Sequence, residues 1–131
     1  MALRREVNSA ITNGTANAVL TRPGSISPSS SAAITFTAQR DFPLVTLVTM
    51  IAPSPDWFTG VHGLSLIESG QWVDQKVVVL DLYDAGTDSG VTYSSLDADT
   101  QPREVIRKIT GFPALVNGQL VPFGTFTFTR R

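Results

Sequence analysis

Cysteine is missing altogether from the 131 residues, which rules out disulfides, thiolate metal sites and thiol nucleophiles. A dominant charge is missing too. Ten Lys and Arg stand against eleven Asp and Glu, a formal net charge of −1, which leaves no electrostatic footprint for nucleic acid or an anionic membrane. No stretch approaches the ~18 apolar residues that a bilayer span requires. The opening MALRREVNSAITNG lacks the apolar core of a secretory signal. There is a single histidine, His62, and although Ser65 follows three residues later, GLSLI lacks the second glycine of a nucleophile elbow. Neither a P-loop nor a dinucleotide-binding glycine pattern is present, and no repeat of 20–50 residues recurs. These absences point away from an enzyme.

A chain of this length makes one domain and buries roughly two-thirds of its unfolded surface. Residues 1–32 are small and polar and include RPGSISPSSS at 22–31, whose Pro, Gly and Ser predict an extended arm with one short strand at 18–21. From residue 33 to residue 131 the pattern becomes that of a β-domain. AITFTAQ alternates Ile34, Phe36 and Ala38 against Thr35 and Thr37, the period-two signature of a half-buried strand. LVTLVTMIA (44–52) and QKVVVLDLY (75–83) are β-branched apolar runs that predict central strands, and GVTYSS (90–95) predicts a short one. PREVIRKIT (102–110) fits a short helix or an edge strand. Asn117-Gly118 between apolar residues signals a tight hairpin. GTFTFTRR closes the chain with Phe126 and Phe128 inward and Thr125, Thr127 and Thr129 outward. The count of about seven or eight short strands with little helix predicts an all-β, antiparallel β-sandwich.

Two acidic stretches carry the chemistry: APSPDWFTGVHGL (52–64) and LYDAGTDSGVTY (82–93). Hard cations such as Ca²⁺ require several oxygen ligands held on adjacent flexible loops. Asp84, Thr87, Asp88 and Ser89 offer such oxygens, and Gly86 and Gly90 permit the tight turns that aim carbonyls inward. The spacing is not that of an EF-hand, because Gly86, Ser89 and Ser95 fall where that loop needs an oxygen ligand, a glycine and a glutamate. The same residue types also build ordinary surface turns. Trp57-Phe58 reads as a core lid at a strand end, and Trp72 in SGQWVDQ reads likewise.

Taken together, PSPDWFTGVHGLSL, the G-x-W-V of residues 70–73, LYDAGTDSGVTY and TQPREVIRKIT resemble the spondin domain, the N-terminal module of F-spondin and mindin that also occurs in prokaryotic proteins. The likeness covers residues 34–129. It implies a C2-like antiparallel β-sandwich with a divalent cation, normally calcium, held at one edge by acidic loop residues. Carried onto this chain, the implied metal ligands are Asp56 and Asp84, with Asp88 and Thr37 as further candidates. Thr37 stands where the family has a glutamate, so a Thr oxygen, or the nearby Asp41, takes its place. The cysteines, the thrombospondin repeats and the longer domain of the animal proteins are not in this chain.

The resemblance implies a non-enzymatic extracellular or surface module for adhesion or binding, whose partner is a protein. The polar arm and the Thr/Phe terminal strand motivate a second expectation. In it the chain is a homo-oligomeric assembly subunit, of a fibre or as a decoration protein on a particle such as a virion, whose arm adds a strand to a neighbour.

Overall fold

The computed structural model describes residues 2–131, so Met1, grouped above with the arm, lies outside the described residues. The chain divides into two units, Met1–Pro43 and Leu44–Arg131. The first is not simply extended. Helix α1 occupies Ala2–Thr12, because Leu3, Val7, Ala10 and Ile11 recur at helical spacing. Val7, Ala10 and Ile11 are half-buried, while Arg4, Arg5, Asn8 and Ser9 face water. The helix stops at Gly14, whose φ of +71° is the left-handed conformation of a C-terminal cap. The Thr15 N–H closes the last turn on the Ala10 carbonyl at 2.9 Å.

The strands predicted at 18–21 and 34–37 are both absent, and these segments are irregular. The period-two pattern of the second survives only in part in its burial: Phe36 and Ala38 are half-buried and Thr35 and Thr37 exposed, but Ile34 is 43 % exposed. Alternation alone does not make a ladder. Among the described residues of this unit the only pairing is the Gln39–Phe42 bridge of a turn, and no described strand receives the Ile34–Thr37 backbone.

The second unit holds the sandwich-like β-structure. Its strands are β1 (Leu44–Met50), β2 (Trp57–Ser65), β3 (Ile67–Glu68), β4 (Gln71–Trp72), β5 (Gln75–Val79), β6 (Leu82–Asp84), β7 (Arg107–Lys108), β8 (Leu115–Val116), β9 (Gln119–Leu120) and β10 (Thr125–Thr129). One antiparallel sheet runs in the order β1-β2-β6-β7, and β5 pairs with β10 in a second. The predicted run at 75–83 is therefore two strands. Leu80 and Asp81 form a corner at which the chain leaves the β5-β10 pair and enters the larger sheet, the way strands switch sheets in sandwiches. Leu80, 3 % exposed, is anchored there by hydrogen bonds of 3.0 and 2.9 Å to Gly124 and Phe123. The Thr59 hydroxyl donates to the Asp81 carbonyl at 2.6 Å.

The core sits on one face of the larger sheet. Trp57, Leu82 and Ala114 are buried together, with Ile51, Ile109 and Phe123 packed against them. The opposite face carries the stacked pair Phe58–Tyr83, with ring centroids 5.6 Å apart.

Four expectations meet the structure here. Asn117 and Gly118 adopt φ of +49° and +76° between β8 and β9, the type I′ geometry that the Asn-Gly pair predicts. Phe126 and Phe128 point inward and the threonines of β10 outward. Residues 102–110 form no helix; only Arg107–Lys108 of them pair, as the edge strand β7, and the rest are irregular. The predicted strand at 90–95 is a turn instead, in which the Ser95 hydroxyl accepts from the N–H groups of Val91 and Thr92 at 3.1 and 3.0 Å. A side-chain acceptor this close satisfies the backbone locally and competes with ladder pairing.

Candidate functional site

The PSPDW stretch enters β2, and the turn before it is built from its own residues. The Ser54 hydroxyl donates to the Ile51 carbonyl at 2.6 Å and accepts the Trp57 N–H at 3.2 Å. This turn delivers Asp56 to the end of β2, directly beside β6, because Trp57 pairs in register with Asp84. Asp56 is buried, at 6 % exposure.

Its carboxylate is used unequally. Oδ2 accepts three hydrogen bonds from the second loop: the Thr87 N–H at 2.6 Å, the Thr87 hydroxyl at 2.8 Å and the Asp88 N–H at 3.0 Å. Oδ1 is buried and has no hydrogen-bond partner. A buried anionic oxygen without a donor is costly. A cation is one ligand that satisfies it.

Asp84 and Asp88 first shape their own loop. Asp84 Oδ1 accepts the Gly86 N–H at 2.6 Å, an Asx turn. Asp88 uses both oxygens on the backbone, taking the Gly90 N–H at 2.8 Å and the Ala98 N–H at 3.1 Å. Asp88 thus clamps residues 88–90 to residue 98, and the Thr87–Thr100 and Ser89–Ala98 backbone bonds complete the clamp. Arg103 fastens it from outside, donating to the Thr87 carbonyl at 2.9 Å and pairing with Asp99 at 2.8 Å. Asp84, Asp88 and Glu104 share the lining of a small cleft of about 180 Å³, and Glu104 is ion-paired there to Arg107.

The structure thus brings Asp56, Asp84 and Asp88 onto one loop cluster. Thr37 is exposed and belongs to the other unit, as does Asp41. Among the described residues no three His, Cys, Asp or Glu side chains converge as a ready ligand cage. The bare Oδ1 of Asp56 is the one feature here that a hard cation would satisfy, and Asp84 stands in register with the next residue, Trp57. Thr87 is the residue that sequence reasoning passed over as a mere oxygen donor. Its N–H and hydroxyl together orient Asp56, and the only signal for it was its place between Gly86 and Asp88.

Gly86 is fixed by space as well as by conformation. It has φ of +71°, and a Cβ there would lie 2.5 Å from the Glu104 carbonyl oxygen. Gly86→Ala is expected to lower stability by about 2 kcal/mol, from the left-handed backbone and the backbone clash together. Chemical denaturation checks this, and a loss below a few tenths would show that the loop yields freely.

Comparison with known proteins decides the family at this point. The Spondin_N family model matches residues 1–117 of the chain. The chain belongs to the spondin N-terminal domain family. The match reaches back through helix α1 and the polar segment, beyond the 34–129 stretch that the motifs alone mark out, and stops short of β10. Rat spondin-2 is 54 % identical over 69 residues, covering 51 % of this chain and 20 % of its own length. Human spondin-2 is 40 % identical over 94 residues, 72 % of this chain and 28 % of its own length. Chicken spondin-1 is 43 % identical over 76 residues, 57 % of this chain and 10 % of its own length. The chain therefore spans between a tenth and about a quarter of the curated relatives it matches.

His62, the lone candidate base, is exposed on β2, and its Nδ1 lies 3.5 Å from the Thr46 hydroxyl. Thr46 also accepts the Gly63 N–H at 3.1 Å, where β2 bulges between the Val45–Leu64 and Leu47–Val61 pairs. His62 thus sits on a strand irregularity, with Ser65 turned away to bond the Ile67 carbonyl at 2.7 Å. No helix among the described residues is long and apolar enough to cross a membrane.

Proposed function

We propose that this chain is a non-enzymatic binding or adhesion module acting outside the cell, with a calcium-type cation site at the Asp56–Asp84 edge of its β-structure and a protein as its partner. Membership of the spondin family supports the adhesion reading and the extracellular setting. One observation carries the cation: the buried Oδ1 of Asp56, unpartnered beside the Asp84 loop.

When bound, calcium supplies the positive charge that offsets two neighbouring carboxylates. The chain's own residues do the rest. Thr87 and the Asp88 N–H hold Oδ2, which fixes the direction of Oδ1. Asp88 and Arg103 keep the loop closed around it. With fewer carboxylates than three, the site is weaker than a fully acidic one, and the rigid loop compensates by needing little reordering on binding.

A ligand that binds only the folded state stabilises it by ~2.7 kcal/mol at a hundredfold excess over Kd. Saturating calcium is therefore expected to raise Tm by several degrees over chelator, and Asp84→Ala is expected to abolish that rise. An unchanged Tm in calcium, together with an unchanged Asp84→Ala profile, would overturn the cation site while leaving the fold untouched.

A further inference from the structure

Asn-Gly occurs twice in the chain, at Asn13-Gly14 and at Asn117-Gly118. In this pair the glycine nitrogen approaches the asparagine side-chain carbonyl unobstructed, because glycine has no Cβ, and asparagine is among the thermolabile residues of proteins. The reacting atoms are the same at both places. The fold treats them differently.

The first pair is held. It follows directly on helix α1, and the Asn13 N–H donates to the Ser9 carbonyl at 2.9 Å. The Gly14 N–H, the group that would have to react, donates to the Ile11 carbonyl at 3.0 Å. Beyond it the Thr15 N–H and hydroxyl both close on the Ala10 carbonyl, at 2.9 and 3.1 Å. The helix end must unwind before the Gly14 nitrogen is free.

The second pair is open. Residues 115–120 are all exposed, and the hairpin ladder has two pairs, Leu115–Leu120 and Val116–Gln119. So short a ladder frays at little cost. Among the described residues no acceptor takes the Gly118 N–H, and a Cβ placed on Gly118 would meet nothing within 4 Å. Neither a hydrogen bond nor a neighbour restrains this nitrogen.

We propose that Asn117 is a site of spontaneous covalent modification, its side-chain amide exchanged for a carboxylate through attack by the Gly118 nitrogen, and that the end of helix α1 protects Asn13 from the same reaction. The Gly118 nitrogen gives up its proton and bonds to Cγ of Asn117. The Cγ–Nδ2 bond breaks and the nitrogen leaves as ammonia, closing a five-membered imide. Water then opens the ring. Addition at Cγ restores the main chain and leaves aspartate, whereas addition at the backbone carbonyl leaves isoaspartate, with the main chain rerouted through the side-chain carbon. The balance is one water in and one ammonia out, with no oxidation. Either product adds one negative charge to a chain of formal net charge −1. The isoaspartyl form also lengthens a two-residue loop whose strands lead to the buried Ala114 and to Phe123 beside it.

The test is to incubate the folded full chain in mildly alkaline buffer, digest it with trypsin and follow the peptides by mass. Cleavage after Arg5 and Lys108 places the two asparagines on different peptides. The peptide with Asn117 is expected to gain the mass of an amide-to-acid change, and to resolve into aspartyl and isoaspartyl forms, about tenfold faster than the peptide with Asn13. In urea, where neither site is protected, the two rates should agree within about threefold. Asn117→Gln, whose longer side chain closes the ring poorly, is expected to remove the acidic species seen on isoelectric focusing. Equal rates at the two sites in the folded chain overturn the proposal. So does an Asn117 that converts only in urea, and so does an acidic species that persists in Asn117→Gln.

Discussion

Asp56→Ala in chelator is expected to lose about 4 kcal/mol of stability, read as a lower urea midpoint with little change in slope. The substitution leaves three donors without an acceptor inside the molecule: two backbone N–H groups and the Thr87 hydroxyl. A fully buried donor so orphaned costs about 1–3 kcal/mol, and bonds to a charged acceptor are the stronger kind; these three, on half-buried residues, fall toward the lower end. Two effects reduce the sum. The loop relaxes and lets water in, and the unpartnered Oδ1 is removed with the rest of the carboxylate. The donors outnumber these reliefs, so the net sign stays destabilising. Asp56→Asn keeps an acceptor for the same donors and is expected to lose about half as much, while removing the charge on which calcium stabilisation depends. If Asp56→Ala unfolds within ~0.5 kcal/mol of wild type, the size of an ordinary surface change, the loop is held by something other than this carboxylate.

Trp57→Ala is expected to lose about 4 kcal/mol as well, by a different mechanism. Trp57 is 2 % exposed and packs with Leu82 and Ala114. Its ring also meets Tyr93 and Phe112 edge-on, with centroids at 5.3 and 6.3 Å, and those two rings meet each other at 5.7 Å. Removing the indole empties the largest side chain from a core of few buried residues and breaks two edge contacts worth about 0.5–1.5 kcal/mol each. Tyr93 and Phe112 lose their seat and become free to move with residues 91–96. Trp57→Phe retains most of the area and should lose about 1–2 kcal/mol. Equal losses for the two variants would show that the site collapses around either side chain and that Trp57 is not the keystone of the cluster.

These two neighbours, one polar and one apolar, explain why the PSPDW motif is compact. Asp56 points its carboxylate at the second loop, and Trp57, one residue on in a strand, turns its side chain to the core face. A single tight turn at Ser54 therefore sets both the loop anchor and the core anchor. A shift of one residue would exchange the two and bury the charge in the apolar cluster.

Much of the fold is legible where chemistry is local. The Asn117-Gly118 hairpin follows from the positive φ that only a few residues tolerate. The alternation of β10 follows from the pleat. The uncharged run at 44–50 follows from β-branched packing. Strand β2 escaped sequence reading, although it is the longest, because Pro53, Pro55, Gly60 and Gly63 look like loop punctuation. In the structure Gly60 is required by close approach, since a Cβ there would lie 2.3 Å from the Leu47 carbonyl oxygen. Gly63, at φ +58°, serves the bulge. A glycine read alone does not reveal whether it breaks a strand or admits a neighbour. Helix α1 escaped for the opposite reason: its apolar stripe is thin among polar residues, and the Pro- and Ser-rich stretch that follows colours the whole segment.

The sequence by itself determined the family and picked out the two acidic loops that carry Asp56 and Asp84, because motif spacing survives without coordinates. Only the tertiary structure decided what each carboxylate does. Asp88, a candidate ligand on composition, has both oxygens committed to backbone N–H groups. Among the described residues, Asp56 alone keeps a buried side-chain oxygen without a donor. The reason is physical: a residue's type states which bonds its atoms are able to make, but which of them are already made depends on the backbone that folding brings within about 3 Å.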